Sequence, residues 1–294
     1  NQQTEQLSPL SSRPTYTETE NDLTVKANKR TFIFSKKDGQ LKGVSVDNRK
    51  INFANGPRFI GARRADRSLD QFYNHDDEKA KEKDRTYSEF PDAAVFTKLD
   101  VKEDGGNLVV TANYKLGNLD KAQWTINPSG ELALDYTYNF SGVVDLMGIR
   151  FDYPEDQVIS KRWLGAGPYR VWQNRIHGTQ YDVWENDYND PIPGETFTYP
   201  EFKGYFGDVS WMNIQTKEGT ISLTNETPDA YIGVYQPRDG RDRLLYTLPE
   251  SGISVLNVIP PVRNKVNSTD LCGPSSQPKW VNGPQTGRVI FRFM

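Results

Sequence analysis

The feature that most constrains this chain is an alternation of apolar and polar residues that recurs from end to end. LTVKA (23–27), RTFIFSK (30–36), LKGVSV (41–46), VFTKLDV (95–101), NLVVTANYKL (107–116) and ELALDYTYNF (131–140) all carry it. So do VSWMNIQ (209–215), TISLTN (220–225), AYIGVY (230–235), ISVLNVI (253–259) and RVIFRF (288–293). Successive side chains of a strand point to opposite faces. A period of two rich in Val, Ile, Tyr and Phe therefore marks half-buried strands. Turn residues such as Asp38-Gly39, Asp104-Gly105-Gly106, Pro128-Ser129-Gly130 and Lys217-Glu218-Gly219 separate them. So many strands with hairpin-length connections call for antiparallel sheets packed face to face, not a βα repeat. The expected fold is all-β, a large two-sheet sandwich forming a single domain over residues 21–294. No repeat of fixed period favours a propeller or solenoid.

Two stretches depart from the alternation. Residues 1–20, NQQTEQLSPLSSRPTYTETE, are polar and hold few apolar side chains, which reads as a linker or disordered tail. NHDDEKAKEKDR (74–85) offers Asp76, Asp77 and Glu78 as a metal or partner site, but Lys79, Lys81 and Lys83 offset the acids, so a solvated loop is expected.

Composition removes several classes of function. A chain of 294 residues can bury a sizeable core, and its net charge of -3 supplies no basic field. Nucleic acid and anionic membranes are therefore poor partners. No run approaches the ~20 apolar residues that span a bilayer, and no signal peptide opens the chain. A chain that opens on Asn rather than Met is expected to be a processed product or an excised fragment. Cys272 is the single cysteine, so an internal disulfide is impossible and the redox compartment stays open. With one Cys, and His75 and His177 the only histidines, a zinc site of the usual kind is nearly excluded. GxSxG and HExxH are absent, and GAGPYR (165–170) lacks the helix pattern that a phosphate loop needs. Paired carboxylates for glycoside hydrolysis cannot be chosen by spacing among 39 acidic residues.

One segment concentrates chemistry. WLGAGPYRVWQNRIHGTQYDVWENDYND (163–190) holds three of the six tryptophans. Its Gly and Pro content argues against a helix, and it reads as one long loop. A pyranose presents an apolar C–H face that stacks on Trp or Tyr and a hydroxyl rim that Asp, Glu, Asn, Arg and His can bond. Trp172, Tyr181, Trp184 and Tyr188 are candidate platforms. Asn174, Arg175, His177, Glu185, Asn186 and Asp187 are candidate polar partners. Against this stands the reading that these rings plug the core where loops fold over the sandwich. ENDYND (185–190) has oxygen ligands enough for Ca²⁺, but acidic loops without one are far more common, so no cofactor is expected.

The same residues carry a family resemblance. Trp163-Leu-Gly-Ala-Gly-Pro168 followed by Trp172, Asn174 and Arg175 resembles the W-x-G-x-G-P-x-E-x-Y-x-D-R motif in the C-terminal domain of family 2 β-galactosidases. YPEFKGYFGDVSW (199–211), which contains Glu201, is similar to that domain's Y-x-x-P-Q-E-x-G-x-x-x-x-V-R-W. FIFSKKDGQLKGVSVDNRKI with NGPRF (55–59) resembles the family's F-x-x-x-x-G-x-L-x-x-L opening and its G-P-R. GPSSQPKW (273–280) resembles the loop that carries an aromatic residue, here Trp280, toward the catalytic barrel.

The resemblance implies a galactose mutarotase-like supersandwich acting as a carbohydrate-binding accessory domain. Its partners would be a galactoside or related glycan and the catalytic (β/α)8 barrel of the parent enzyme, with both catalytic carboxylates outside this chain. Trp172, Asn174, Arg175, His177, Trp184, Glu201 and Trp280 are then the candidate substrate contacts. Arg170, Trp172 and Asn174 replace the family's Glu, Tyr and Asp, which puts inherited galactose specificity in doubt. Two alternatives stand beside this reading. One is a freestanding aldose epimerase using a His acid and a Glu base, and the other is a structural module that buttresses a barrel.

Overall fold

The computed structural model describes residues 12–64, 87–187, 204–235, 248–262 and 273–294. The first strands in chain order are β1 (Thr15–Glu18), β2 (Asp22–Ala27), β3 (Arg30–Ser35), β4 (Leu41–Val46), β5 (Arg49–Ile51), β6 (Ala54–Arg64) and β7 (Tyr87–Glu89). There follow β8 (Val95–Asp104), β9 (Asn107–Lys115), β10 (Leu119–Ile126), β11 (Leu132–Val144), β12 (Leu146–Asp152) and β13 (Val158–Gly167). The chain continues through β14 (Gln180–Asp187), β15 (Trp211–Thr216), β16 (Gly219–Asn225), β17 (Tyr231–Val234), β18 (Ile253–Val258) and β19 (Lys279–Phe293). Helix among the described residues is limited to 3-10 turns at Glu155–Gln157 and Pro274–Ser276.

The strands form two large antiparallel sheets. One has the order β1-β2-β3-β4-β6-β12-β18-β17, with β5 on β4 and β7 on β6. The other runs β14-β13-β15-β16-β19-β11-β10-β9-β8. Thr15–Glu18, inside the segment expected to be a tail, is the edge strand β1 and pairs with β2. Alternation places the inner faces: in β10, Ala122, Trp124 and Ile126 are buried while Gln123 and Thr125 are part-exposed. Phe53, Phe151, Phe291 and Phe293 meet in the core, with Phe53 and Phe151 stacked at 4.8 Å. Each such ring contributes roughly 1.5–3 kcal/mol by leaving water.

Several strands escape the period-two reading for a physical reason. Phe59 and Ile60 are successive residues of β6 and are both buried, yet they belong to different apolar clusters. The first packs between the sheets. The second lies on the outer face of the first sheet with Leu146, Leu256, Trp172 and Tyr205. Strands covered on both faces lose their polar face and so their alternation.

Candidate functional site

The aromatic segment is not one loop. Residues 158–167 and 180–187 are the antiparallel pair β13 and β14 at the edge of the second sheet, and only 168–179 connects them. Period two was hidden by Gly165 and Gly167, which leave room for neighbours. A Cβ at Gly167 would lie 2.4 Å from the Trp184 ring, so the indole rests on bare backbone. Trp184 is half-buried and donates from Nε1 to Gly165 O at 3.2 Å. Tyr181 projects from the edge strand, 58% exposed, with its hydroxyl 2.6 Å from Ser210 Oγ.

Between the two strands, residues 172–175 make a tight turn closed by Arg175 N donating to Trp172 O at 2.8 Å. Trp172 corrects the sequence expectation. Its ring is 2% exposed and meets Tyr205 edge-on at 5.7 Å, so it fills the outer apolar cluster and offers no face to a sugar. Burial pushes the Tyr205 hydroxyl well above the usual phenol range, as a dry environment must. Asn174 is half-buried. It pairs with the Val262 backbone in both directions, Nδ2 to O at 2.7 Å and N to Oδ1 at 2.9 Å. The same Nδ2 donates to Ser276 Oγ at 2.9 Å. Asn174 thus ties loops together rather than facing solvent. Arg175, the last residue of the turn, and His177, two residues beyond it, are exposed. Among the described residues no carboxylate pairs with His177.

Trp280 is placed differently from every other tryptophan. Trp124, Trp163 and Trp172 are buried and Trp184 and Trp211 are half-buried, while Trp280 is 71% exposed at the start of β19. It stands opposite Val143 of β11. The preceding turn, 273–277, is bonded to the 172–175 turn, and three further residues of extended chain span about 10 Å. The turn that ends at Arg175 is therefore bonded to the turn that leads to Trp280. Glu201, Tyr188 and His75 lie outside the described residues, as does the 74–85 charged run. Within ENDYND, Glu185, Asn186 and Asp187 belong to β14 rather than to a loop; Asn186 is buried, while Glu185 faces Arg162 at 4.0 Å. Among the described residues no three His, Cys, Asp or Glu side chains cluster.

One feature carried no sequence signal. A polar cleft of about 800 Å³ opens on the outer face of the first sheet, lined by Lys42, Lys50, Arg58, Arg150, Asp152 and Glu250, among others. Arg58 stands directly opposite Arg150 in the β6–β12 register, and Asp152 offsets the repulsion by accepting from Arg58 and from Asn55 at 2.9 Å. Strands distant in sequence supply this cleft, so no local spacing announces it.

No curated protein matches the chain in sequence. A galactose 1-epimerase from Lactobacillus acidophilus NCFM is 8% identical, with a TM-score of 0.51 over 97% of this chain and 99% of that one. A GalM/aldose epimerase homologue from C. elegans is 7% identical, covering 93% of this chain and 98% of its own at a TM-score of 0.42. At 8% identity the first likeness speaks for fold, a galactose mutarotase-like supersandwich. No helix among the described residues is long and apolar enough to cross a membrane. The family described as beta galactosidase small chain matches residues 26–263, most of the chain. The chain belongs to the beta galactosidase small chain family.

Proposed function

We propose that this chain is a sugar-facing accessory domain of a β-galactosidase-like glycoside hydrolase, without catalytic carboxylates of its own, working beside a barrel that holds them. The observation that carries the reading is Trp280, the one tryptophan of six whose ring lies mostly in solvent. An indole left in solvent keeps its face free to stack on a ligand or partner. Its flat face suits the C–H face of a pyranose. Arg175 and His177, exposed on the neighbouring turn, are the polar groups we assign to the sugar's hydroxyls or to the barrel rim.

An epimerase on this fold would need a paired acid and base on one sugar. The match to the beta galactosidase small chain family supports the accessory reading. The test is Trp280→Ala in the enzyme assembled with its catalytic chain. The reading expects KM for a β-galactoside to rise or kcat to fall while the melting temperature stays nearly constant. Unchanged kinetics would remove Trp280 from the site. Galactose anomer exchange followed by NMR should stay at the background rate with the isolated chain, and clear acceleration would favour the epimerase.

A further inference from the structure

We infer that Gln173, Asn174 and Arg64 are positioning residues that clamp the turn before β19 and so fix where the Trp280 ring stands. The inference deepens the sugar-site reading of Trp280 and rests on it for its functional consequence.

Three consecutive carbonyls of that turn each accept a side-chain N–H from elsewhere in the fold. Gln173 Nε2 donates to Ser275 O and to Gln277 O, both at 2.8 Å. Between them, Ser276 O accepts from Arg64 Nη2 at 3.2 Å. Asn174 Nδ2 holds Ser276 Oγ at 2.9 Å, and Ser276 is fully buried. The Gln173 amide is oriented by what its nitrogen does, since its buried Oε1 has no hydrogen-bond partner among the described residues. Rotating that amide would set oxygen against two carbonyl oxygens. Arg64 is itself fixed at the end of β6, where its backbone N–H donates to the buried Asp145 carboxylate at 3.0 Å.

A mostly solvated ring at the start of a strand gains little order from its own packing. Its position must come from the backbone that leads to it. Pro274 and Pro278 narrow that backbone further by fixing φ. A ring ordered before the ligand arrives avoids the entropy loss of ordering on binding.

The test uses the full chain labelled with 5-fluorotryptophan, with the Trp280 resonance assigned by Trp280→Phe. Gln173→Glu keeps the length of the side chain but replaces the donor with a carboxylate facing two carbonyls. We expect the Trp280 fluorine resonance to shift or broaden while the buried tryptophans keep theirs. As pH falls toward the ordinary carboxyl pKa of about 4.3, the introduced group gains a proton to donate and the resonance should move back. Asn174→Ala, which removes the bond to Ser276 Oγ, reaches the same readout by a second route. In the assembled enzyme, Gln173→Glu should lower kcat/KM, by up to about 100-fold if the ring moves by an ångström. A Trp280 resonance unmoved in both folded variants would overturn the clamp. A resonance that moves while neither Gln173→Glu nor Trp280→Ala alters kcat/KM would uphold the clamp and overturn the sugar-site reading instead.

Discussion

Trp163 and Trp184 stand directly opposite each other across the β13–β14 ladder, yet they end in different environments. Trp163 is fully buried, meets Phe206 edge-on at 4.9 Å and donates from Nε1 to Ala166 O at 3.0 Å. Trp184 lies nearer the sheet edge, half-buried over Gly167. Its Nε1 donates to Gly165 O of β13 at 3.2 Å, which ties the edge strand to the sandwich.

Gly167→Ala should displace the Trp184 ring. The added Cβ would sit 2.4–2.6 Å from its atoms, too close for any rotamer to keep the present position. Overpacking of this kind costs about 1–3 kcal/mol. Urea denaturation should show the loss, and Trp184 fluorescence, isolated by difference against Trp184→Phe, should shift to the red.

Trp172→Ala and Trp280→Ala should separate cleanly. The first empties a site in the outer apolar cluster and should cost about 3–5 kcal/mol. The second removes a ring that is 71% exposed and should stay within about 0.5 kcal/mol of the parent. Thermal unfolding of both variants checks this, and a large loss for Trp280→Ala would assign that ring to packing.

The isolated chain should hydrolyse no nitrophenyl glycoside. Turnover needs two carboxyl groups about 5–9.5 Å apart flanking one sugar bond, and the proposed role places them in another domain. Activity of purified chain that vanishes when one of its own carboxylates is replaced would defeat the accessory reading.

Stability should fall in alkali. Burial pushes the Tyr136 hydroxyl up to about 12 from its ordinary 10. Below pH 10 folded and unfolded chains both keep this proton. Between pH 10 and 12 the unfolded chain releases it while the folded chain retains it, so rising pH favours unfolding. Tyr138 and Tyr205, also raised by burial, add in the same direction. In urea titrations from pH 9 to 12, Tyr136→Phe should leave stability below pH 10 unaffected by this group and make the decline between pH 10 and 12 shallower by about 1.4 kcal/mol per pH unit.

The strands with one solvated face were legible in the sequence, because alternation depends only on each residue's own polarity. LKGVSV is β4 without a residue's error, and NLVVTANYKL runs one residue past β9. The beta galactosidase resemblance was legible too, since short motifs in a fixed order survive where overall identity does not. Tertiary structure decided the rest. ANGPRFIGARR became β6 only because an apolar cluster covers each of its faces, a fact about residues far away in the chain. Trp172 and Trp280 both follow prolines in polar surroundings, and nothing local says that one is buried and the other solvated. Trp172 is buried because Tyr205 and Leu256 arrive from elsewhere, while the start of β19 receives no such cover. Gln173 carried no signal at all, since its acceptors are backbone carbonyls 102 and 104 residues away and a backbone carbonyl is the same in every sequence. Polarity is written residue by residue; burial and the partners of an amide are properties of the packed chain.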